Sequence, residues 1–262
     1  MSSCVSAPST ALRPFVEAYW QRKVETGAPT TMRVLPDASC DIIIELSGPL
    51  AGQAYVVGTQ LRPIGVPLSA GTERVGMRFR LGMAGFVLGA ALHQVRDRFA
   101  PLDAMSIPLS ARLIEQLIAQ RSLRARAPII EGWLLARLAK LQPDQREVRE
   151  ASALQTMVRA GAGPRSIAAA TGWNARRVQR VFRDRFGASV ATLKRWRRFQ
   201  LALERLEAGA FATHAAAAFE LGFADEAHMC REFQVFAGAS PSALLAERAD
   251  VGNVQAARTP DG

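Results

Sequence analysis

A predicted helix near position 180 carries polar side chains that could recognise base pairs. Val178 and Phe182 lie four residues apart on its apolar face. At about 100° per residue, the opposite face holds arginines and a glutamine. Arginine can donate two hydrogen bonds to guanine, glutamine can pair with adenine, and further arginines can reach phosphates. The alternative for this pattern is an ordinary amphipathic surface helix. The polar face consists of Arg176, Gln179, Arg180 and Arg183.

The positive charge of the chain is concentrated around this helix. The formal net charge is +10, and residues 159–198 hold 11 basic residues and one acid, Asp184. A block this basic is a plausible electrostatic footprint for a polyanion. The alternative is a solvated, arginine-rich surface, so charge alone does not decide for nucleic acid.

A repeated phrase indicates that the unit containing this helix occurs twice. RVFRDRFGAS (180–189) and REFQVFAGAS (231–240) both fit Arg-x-Phe-x-x-x-x-Gly-Ala-Ser and lie 51 residues apart. Upstream, Gly172 and Gly222 lie 50 residues apart, and each follows an alanine by four positions. The second copy therefore carries one extra residue in its turn.

The spacing within each copy is typical of a helix-turn-helix. A small residue in the first helix lets the second approach closely, and glycine tolerates the positive φ of the turn. Asn174 and Asp225 are expected to cap the second helix of each unit. Between the units, residues 191–209 form a predicted long helix that Gly209 ends. Two recognition helices on one rigid body could then enter major-groove turns about 34 Å apart.

The predicted fold class is α+β. Residues 1–150 form a small strand-rich N-terminal domain, with strands at about 31–80 and appended helices at about 82–141. Residues 151–248 are predicted to be all helical, with two helix-turn-helix units joined by the long helix. Residues 249–262 are predicted to be a flexible tail, like residues 1–10 at the other end.

Shorter patterns predict the individual elements of the N-terminal domain. Leu12–Trp20 is predicted to be a short helix, and 62–71 a loop. Prolines are expected at the starts and stops of helices; these are Pro101, Pro108, Pro128 and Pro143. Strands are predicted at 31–36, 41–46, 54–58 and 73–80, and helices at 83–99, 109–120 and 129–141.

Residues 154–247 resemble the DNA-binding domain of AraC/XylS-type transcriptional regulators. The resemblance rests on SIAAATGW, RRVQRVF, GASV, LGFADEAH, REF and GASPSALL. It implies two helix-turn-helix units and a transcription regulator that binds duplex DNA. The first half resembles, more loosely, a divergent N-terminal domain of some of these regulators, through FVEAYW (15–20) and VLPDASCDIIIEL (34–46). That resemblance implies ligand sensing or dimerisation.

The resemblance also assigns roles to residues. Base-contacting positions of the first unit fall on Arg176, Gln179 and Arg180, and those of the second fall around Glu226, Ala227 and Arg231. Phosphate contacts are expected from other basic residues of the first unit and the long helix: Arg177, Arg183, Lys194, Arg195, Arg197 and Arg198.

The second unit is far more acidic than the first. Residues 213–247 contain one basic residue, Arg231, and five acids. Because Glu226 facing a groove would be repelled by phosphate unless it accepts from a cytosine amino group, we expect the first unit to supply most of the affinity.

Other classes of function find little support in the sequence. Three cysteines and three histidines are dispersed, so no metal site, disulfide framework or cofactor is expected, and no nucleophile–base pair is visible in residues 1–150. An enzyme is therefore not expected. Without an apolar run of roughly 18–20 residues or a signal peptide, a cytoplasmic protein with no membrane contact is expected. A small-molecule effector and a homodimer stay open as further partners. The alternative function is a small-molecule sensor whose helical half is mainly a protein-interaction module.

Overall fold

The computed structural model describes residues 2–25, 31–107 and 109–250. Within these ranges the N-terminal part contains a six-stranded antiparallel sheet of order β1-β2-β7-β4-β5-β8, and a two-stranded sheet of β3 and β6. The strands are β1 (Ser2–Ser6), β2 (Val16–Lys23), β3 (Thr31–Val34), β4 (Cys40–Ser47), β5 (Ala54–Val57), β6 (Ile64–Pro67), β7 (Glu73–Phe79) and β8 (Phe99–Pro101).

The central strand β4 shows why this sheet forms. Cys40, Ile42 and Ile44 alternate along the strand and are buried in the N-terminal core. The intervening Asp41 and Glu45 lie on the other face, where Arg78 and Arg74 of the neighbouring β7 pair with their carboxylates. Both faces of β4 are therefore covered, and every residue of the strand except Ser47 is buried.

The predicted helix at Leu12–Trp20 is wrong. Residues from Val16 onward form β2, with Tyr19 opposite Met77 of β7. Leu12, Val16 and Tyr19 are all fully buried, at a spacing that imitates a helical face. A turn before β2 and an irregularity in register between Val16 and Ala18 produce that spacing in an extended chain.

The four predicted strands are confirmed as β3, β4, β5 and β7. Three further strands were missed. β1 lies in the segment predicted to be a loose terminus, β6 lies inside the predicted loop 62–71, and β8 closes the far edge of the sheet. Each is three to five residues long and pairs with a distant part of the chain, so local alternation is too short to show it.

Ten α-helices are found in the described ranges. They are α1 (Ala84–Leu88), α2 (Ala111–Ala119), α3 (Leu123–Leu141), α4 (Gln145–Arg159), α5 (Pro164–Thr171), α6 (Ala175–Phe186), α7 (Val190–Glu207), α8 (His214–Glu220), α9 (Glu226–Ala237) and α10 (Pro241–Asp250).

Two helix predictions need correction. The helix predicted at 83–99 stops after five residues, because Gly89 takes a left-handed conformation at φ 69° and ends α1. A 3₁₀ turn at Leu92–Gln94 and strand β8 follow. The helix predicted at 129–141 begins earlier, at Leu123, so Pro128 lies inside α3 rather than at its end. Pro108 lies outside the described residues.

A helix spans the position at which the sequence predicts the boundary between the two domains. Helix α4 starts at Gln145 and runs through the position predicted to separate the domains. The predicted flexible tail lies outside the described residues except for positions 249 and 250, which belong to α10.

The N-terminal domain packs against both helix-turn-helix units. The core of the first unit, built on Phe182 and Phe186, includes Leu61 and Leu81 from the N-terminal domain. The core of the second unit includes Leu35 from the same domain. The position of each unit is therefore set in part by side chains from the first half of the chain.

Candidate nucleic-acid interface

The first helix-turn-helix consists of α5 and α6. Gly172 ends α5 at φ 68°, and two residues later the Asn174 side chain caps α6 by accepting a hydrogen bond from the Arg177 backbone N–H at 2.9 Å. Ile167 of α5 packs with Val178 and other buried residues of α6. The predicted turn and cap are confirmed.

Three of the four residues on the polar face of α6 have no partner in the described part of the chain. Arg176, Gln179 and Arg180 are all exposed, and within the described part of the chain none of the three side chains makes a hydrogen bond or ion pair. The opposite residues Val178 and Phe182 are buried. Helix α6 therefore presents two guanidinium groups and an amide outward on a rigid support.

The two other basic residues predicted to bind DNA in this unit are exposed but already in contact with neighbours. The Arg177 guanidinium lies 4.4 Å from the centre of the Trp173 ring. The Arg183 Nε donates to the Asp184 carboxylate at 2.9 Å, and this hydrogen bond raises the pKa of Arg183. These contacts hold the two side chains near the surface of the unit.

The second helix-turn-helix consists of α8 and α9. Gly222 takes φ 73°, and three residues later the Asp225 side chain caps α9 by accepting from the His228 backbone N–H at 2.5 Å. The corresponding step in the first unit is two residues. The extra turn residue expected in the second copy is thus confirmed.

The outer face of α9 differs in charge from that of α6. Glu226, Ala227 and Arg231 are exposed. Arg231 lies 3.9 Å from the Asp225 carboxylate, and Glu226 lies 4.0 Å from His214. The exposed arginine of this face, Arg231, already has a carboxylate beside it, in contrast to Arg176 and Arg180 of α6.

Helix α7 joins the two units, and most of its basic residues face the protein. The Arg195 guanidinium pairs with the Glu232 carboxylate of α9 at 2.8 Å, and these hydrogen bonds raise its pKa. Arg198 donates to the Gly222 carbonyl at 2.8 Å, and Arg197 donates to a carbonyl of α4 at 3.2 Å. Of the four α7 residues expected to bind phosphate, only Lys194 is left exposed without such a contact in the described chain.

The Glu232 carboxylate ties α9 to α7 and should matter for stability. Glu232 is 5% exposed and accepts three hydrogen bonds from Arg195. Glu232→Ala is expected to lower the free energy of unfolding by about 2 kcal/mol, because hydrogen bonds to charged groups contribute about 1.5–3 kcal/mol. Urea denaturation measures this change.

Glu220→Ala is the matched control for that variant. Glu220 belongs to the same unit, but its carboxylate is about half exposed and lies 3.8 Å from Arg205. An exposed pair of this kind contributes about 0–1 kcal/mol. Equal destabilisation by the two variants would contradict the role given to Glu232.

The Pro36 carbonyl of the N-terminal domain accepts two hydrogen bonds from the joining helix α7. The Trp196 Nε1 donates to the Pro36 carbonyl at 2.9 Å, and the Gln200 amide donates to the same oxygen at 2.6 Å. Trp196 also packs against the cores of both units. A second contact joins Arg33 to the Ala237 carbonyl at the end of α9, at 3.0 Å. Sequence patterns gave no sign of these contacts, because they link residues more than 150 positions apart.

Neither a membrane-spanning helix nor a cluster of metal ligands is found in the ranges that the structure describes. No helix there has the length and apolar composition needed to cross a membrane. No three histidine, cysteine, aspartate or glutamate side chains come together there as a set of metal ligands.

Comparison with known proteins identifies both halves of the chain. Residues 167–247 match a helix-turn-helix domain family, and residues 5–101 match a domain of unknown function. No curated protein matches the chain. The helical half is therefore a DNA-binding domain of the helix-turn-helix class. This DNA-binding domain is of the AraC type, and a domain of unknown function precedes it in the chain.

Solved structures of ToxT from Vibrio cholerae share limited similarity with the chain. One has 11% sequence identity and a TM-score of 0.45, covering 94% of this chain and 98% of ToxT. A second, with (E)-4-(8-methylnaphthalen-1-yl)but-3-enoic acid bound, has 11% identity and a TM-score of 0.44, covering 94% and 99%. A third, with an unsaturated fatty acid bound, has 12% identity and a TM-score of 0.39, covering 86% and 96%. At these scores the similarity carries no argument about ligands.

Proposed function

We propose that the first helix-turn-helix unit reads base edges in a major groove through Arg176, Gln179 and Arg180. The observation that carries this proposal is that all three side chains are exposed on α6 and lack partners in the described protein. Arginine and glutamine match guanine and adenine edges in the major groove. Arg177 and Arg183 flank this group and would position the helix by binding phosphates.

The second unit has a lesser share of the affinity in this proposal. Its candidate contacts are Glu226, Ala227 and Arg231, and the arginine already lies near the Asp225 carboxylate. A carboxylate such as Glu226 can accept from cytosine but is repelled by phosphate. The second unit would then add selectivity or regulation rather than most of the binding free energy.

The N-terminal domain would control DNA binding in response to a small-molecule effector. Its Pro36 carbonyl accepts hydrogen bonds from α7, and its Arg33 contacts the end of α9. A ligand that shifts these contacts would change how the two recognition helices are presented. Such control requires only that the ligand prefers one arrangement over the other.

Footprinting on a duplex selected from a randomised library tests the proposed DNA contact. We expect two protected major-groove segments about one helical turn, roughly 34 Å, apart, with stronger protection in one of them. The logarithm of the affinity should fall with the logarithm of salt concentration, with a slope of about −0.9 for each phosphate neutralised. Absence of major-groove protection on any selected duplex would favour a protein-interaction role for the helical half.

A further inference from the structure

An open cleft of about 460 Å³ lies between the N-terminal domain and α4. Three arginines from separate elements line it. Arg13 belongs to the turn before β2, Arg80 follows β7, and Arg159 is the last residue of α4. Three guanidinium groups from distant parts of the sequence therefore meet at one surface. The cleft lies outside the α6 face proposed to read DNA.

These three positive charges are poorly compensated by the protein. The Arg80 Nε donates to the Arg13 carbonyl at 2.6 Å, which fixes the Arg80 side chain but neutralises neither charge. The Arg159 guanidinium lies 3.7 Å from the Glu17 carboxylate, in a pair whose side chains are 51% and 37% exposed. Arg13 is exposed and has no ion pair among the described residues. The balance of charge in the cleft therefore favours an anion.

The amide of Gln155 adds a neutral hydrogen-bonding group to the cleft. Gln155 of α4 lines the cleft, the residue as a whole is 6% exposed, and its side chain makes no hydrogen bond to any group in the described ranges. Its amide is therefore free to bind a ligand in the cleft. Thr10 and Ser152 also line the cleft and add hydroxyl donors, whereas the hydroxyl of Thr156 already donates to the Ser152 carbonyl at 3.2 Å.

We propose that this cleft binds a small anion carrying at least two negative charges, such as a dicarboxylate or a phosphate monoester. Guanidinium groups bind carboxylate and phosphate through paired hydrogen bonds, and the amide of Gln155 can donate a further one. The cleft volume is within the range of small-molecule sites. Three charged side chains among its lining residues favour such a ligand over a long apolar one.

The position of the cleft connects such a ligand to DNA binding, and this part rests on the proposed function. Arg13 and Arg80 belong to the N-terminal domain, whereas Gln155 and Arg159 belong to α4. The Arg159 carbonyl also accepts a hydrogen bond from Arg197 of α7 at 3.2 Å. A dianion bound to all three arginines would join the N-terminal domain to α4, and α4 in turn contacts α7, the helix that connects both recognition units.

Titration of the full-length chain without DNA tests the site itself. Inorganic phosphate, glycerol 3-phosphate and succinate are added separately, with glycerol and succinamide as uncharged counterparts, and binding is followed by isothermal titration calorimetry. We expect saturable binding of at least one dianion and none of the uncharged molecules. Arg13→Ala and Arg159→Ala should each weaken it by about 10-fold or more, since hydrogen bonds to charged groups contribute about 1.5–3 kcal/mol.

Arg149→Ala is the matched control, because Arg149 is exposed on the same helix α4 but does not line the cleft. It removes the same charge and should leave anion affinity within about twofold. Circular dichroism of each variant checks folding, and Gln155→Leu gives a charge-neutral test in which binding should also weaken. No saturable binding of any dianion by the wild-type chain, or an equal effect of Arg149→Ala and Arg13→Ala, would overturn the proposal.

Binding of duplex DNA is measured on the same preparations, so that two failures can be distinguished. Normal DNA binding without anion binding rejects the anion site alone. Anion binding at the cleft without any DNA binding rejects the proposed reading of bases alone. If Arg13→Ala and Arg159→Ala weaken the binding of duplex DNA but no small dianion binds, the cleft contacts the phosphate backbone and the small-anion proposal is wrong.

Discussion

Arg180→Ala is expected to weaken binding to a selected duplex by about 10- to 100-fold, which corresponds to about 1–3 kcal/mol for a lost contact to a base. Arg180 is exposed on α6 and has no partner among the described residues, so its removal should leave the fold intact. The loss should be concentrated at one base pair, where the preference for guanine should relax. Gel-shift titrations on duplexes with single base-pair changes measure this effect.

Arg124→Ala is the matched control for charge. Arg124 is exposed on α3 of the N-terminal domain, and its removal lowers the net charge equally. It should change the affinity for DNA little at fixed salt.

Arg231→Ala should weaken DNA binding less than Arg180→Ala, because α9 is expected to contribute the smaller share of the binding free energy. Equal loss on every DNA sequence would assign Arg180 to a phosphate, and equal losses for Arg180→Ala and Arg231→Ala would contradict the asymmetry between the units.

Phe182→Ala is expected to destabilise the protein by about 3–5 kcal/mol, the usual cost of truncating a buried phenylalanine. Phe182 is fully buried, and its ring stacks on that of Phe186 at 4.5 Å between centroids. The same core contains Leu61 and Leu81 of the N-terminal domain, so the cavity would also loosen the contact between domains. Urea denaturation measures the change in the free energy of unfolding.

Phe219→Ala is the control for loss of an aromatic ring. Phe219 lies on α8 and is 86% exposed, so this substitution should change the free energy of unfolding by no more than about 0.5 kcal/mol. Destabilisation by Phe182→Ala of less than about 1 kcal/mol would show that this core is not what holds α6 in place.

The helical half could be predicted closely from the sequence because its signals are local. Capping residues, turn glycines and apolar positions four residues apart lie within short stretches. Asn174 caps α6 and Asp225 caps α9, and the extra residue in the second turn follows from the offset between the two copies. The caps and turns depend on residues separated by only a few positions, and the repeat shows the same local pattern twice, so the sequence predicts these features correctly.

The N-terminal domain was harder to predict because its strands pair over long distances. The irregular register near Val16 gives β2 the apolar spacing of a helix. Gly89 ends α1, although the composition of the following residues favours a longer helix. Strand β6 is defined by its pairing with β3 rather than by its own sequence. Local periodicity carries no information about such pairing.

The site itself was predictable only in part. The sequence identified the polar face of α6, and the structure places Arg176, Gln179 and Arg180 outward together. It did not indicate that Arg195 and Arg198 would be held by the second unit, since their partners lie about 25 to 40 positions further along the chain. The charge composition suggests that such arginines are available to bind DNA. In the folded chain their guanidinium groups are instead bound by groups of the second unit.

The most direct test of the account is protection of guanine N7 from dimethyl sulfate on a selected duplex. This reagent reports contacts in the major groove, where arginine binds guanine through N7 and O6. We expect the wild-type chain to protect guanines in one major-groove segment strongly, and Arg180→Ala to restore reactivity at one of them while the others stay protected. Tight, sequence-selective binding that leaves every guanine N7 reactive would show that α6 does not read the groove through its arginines.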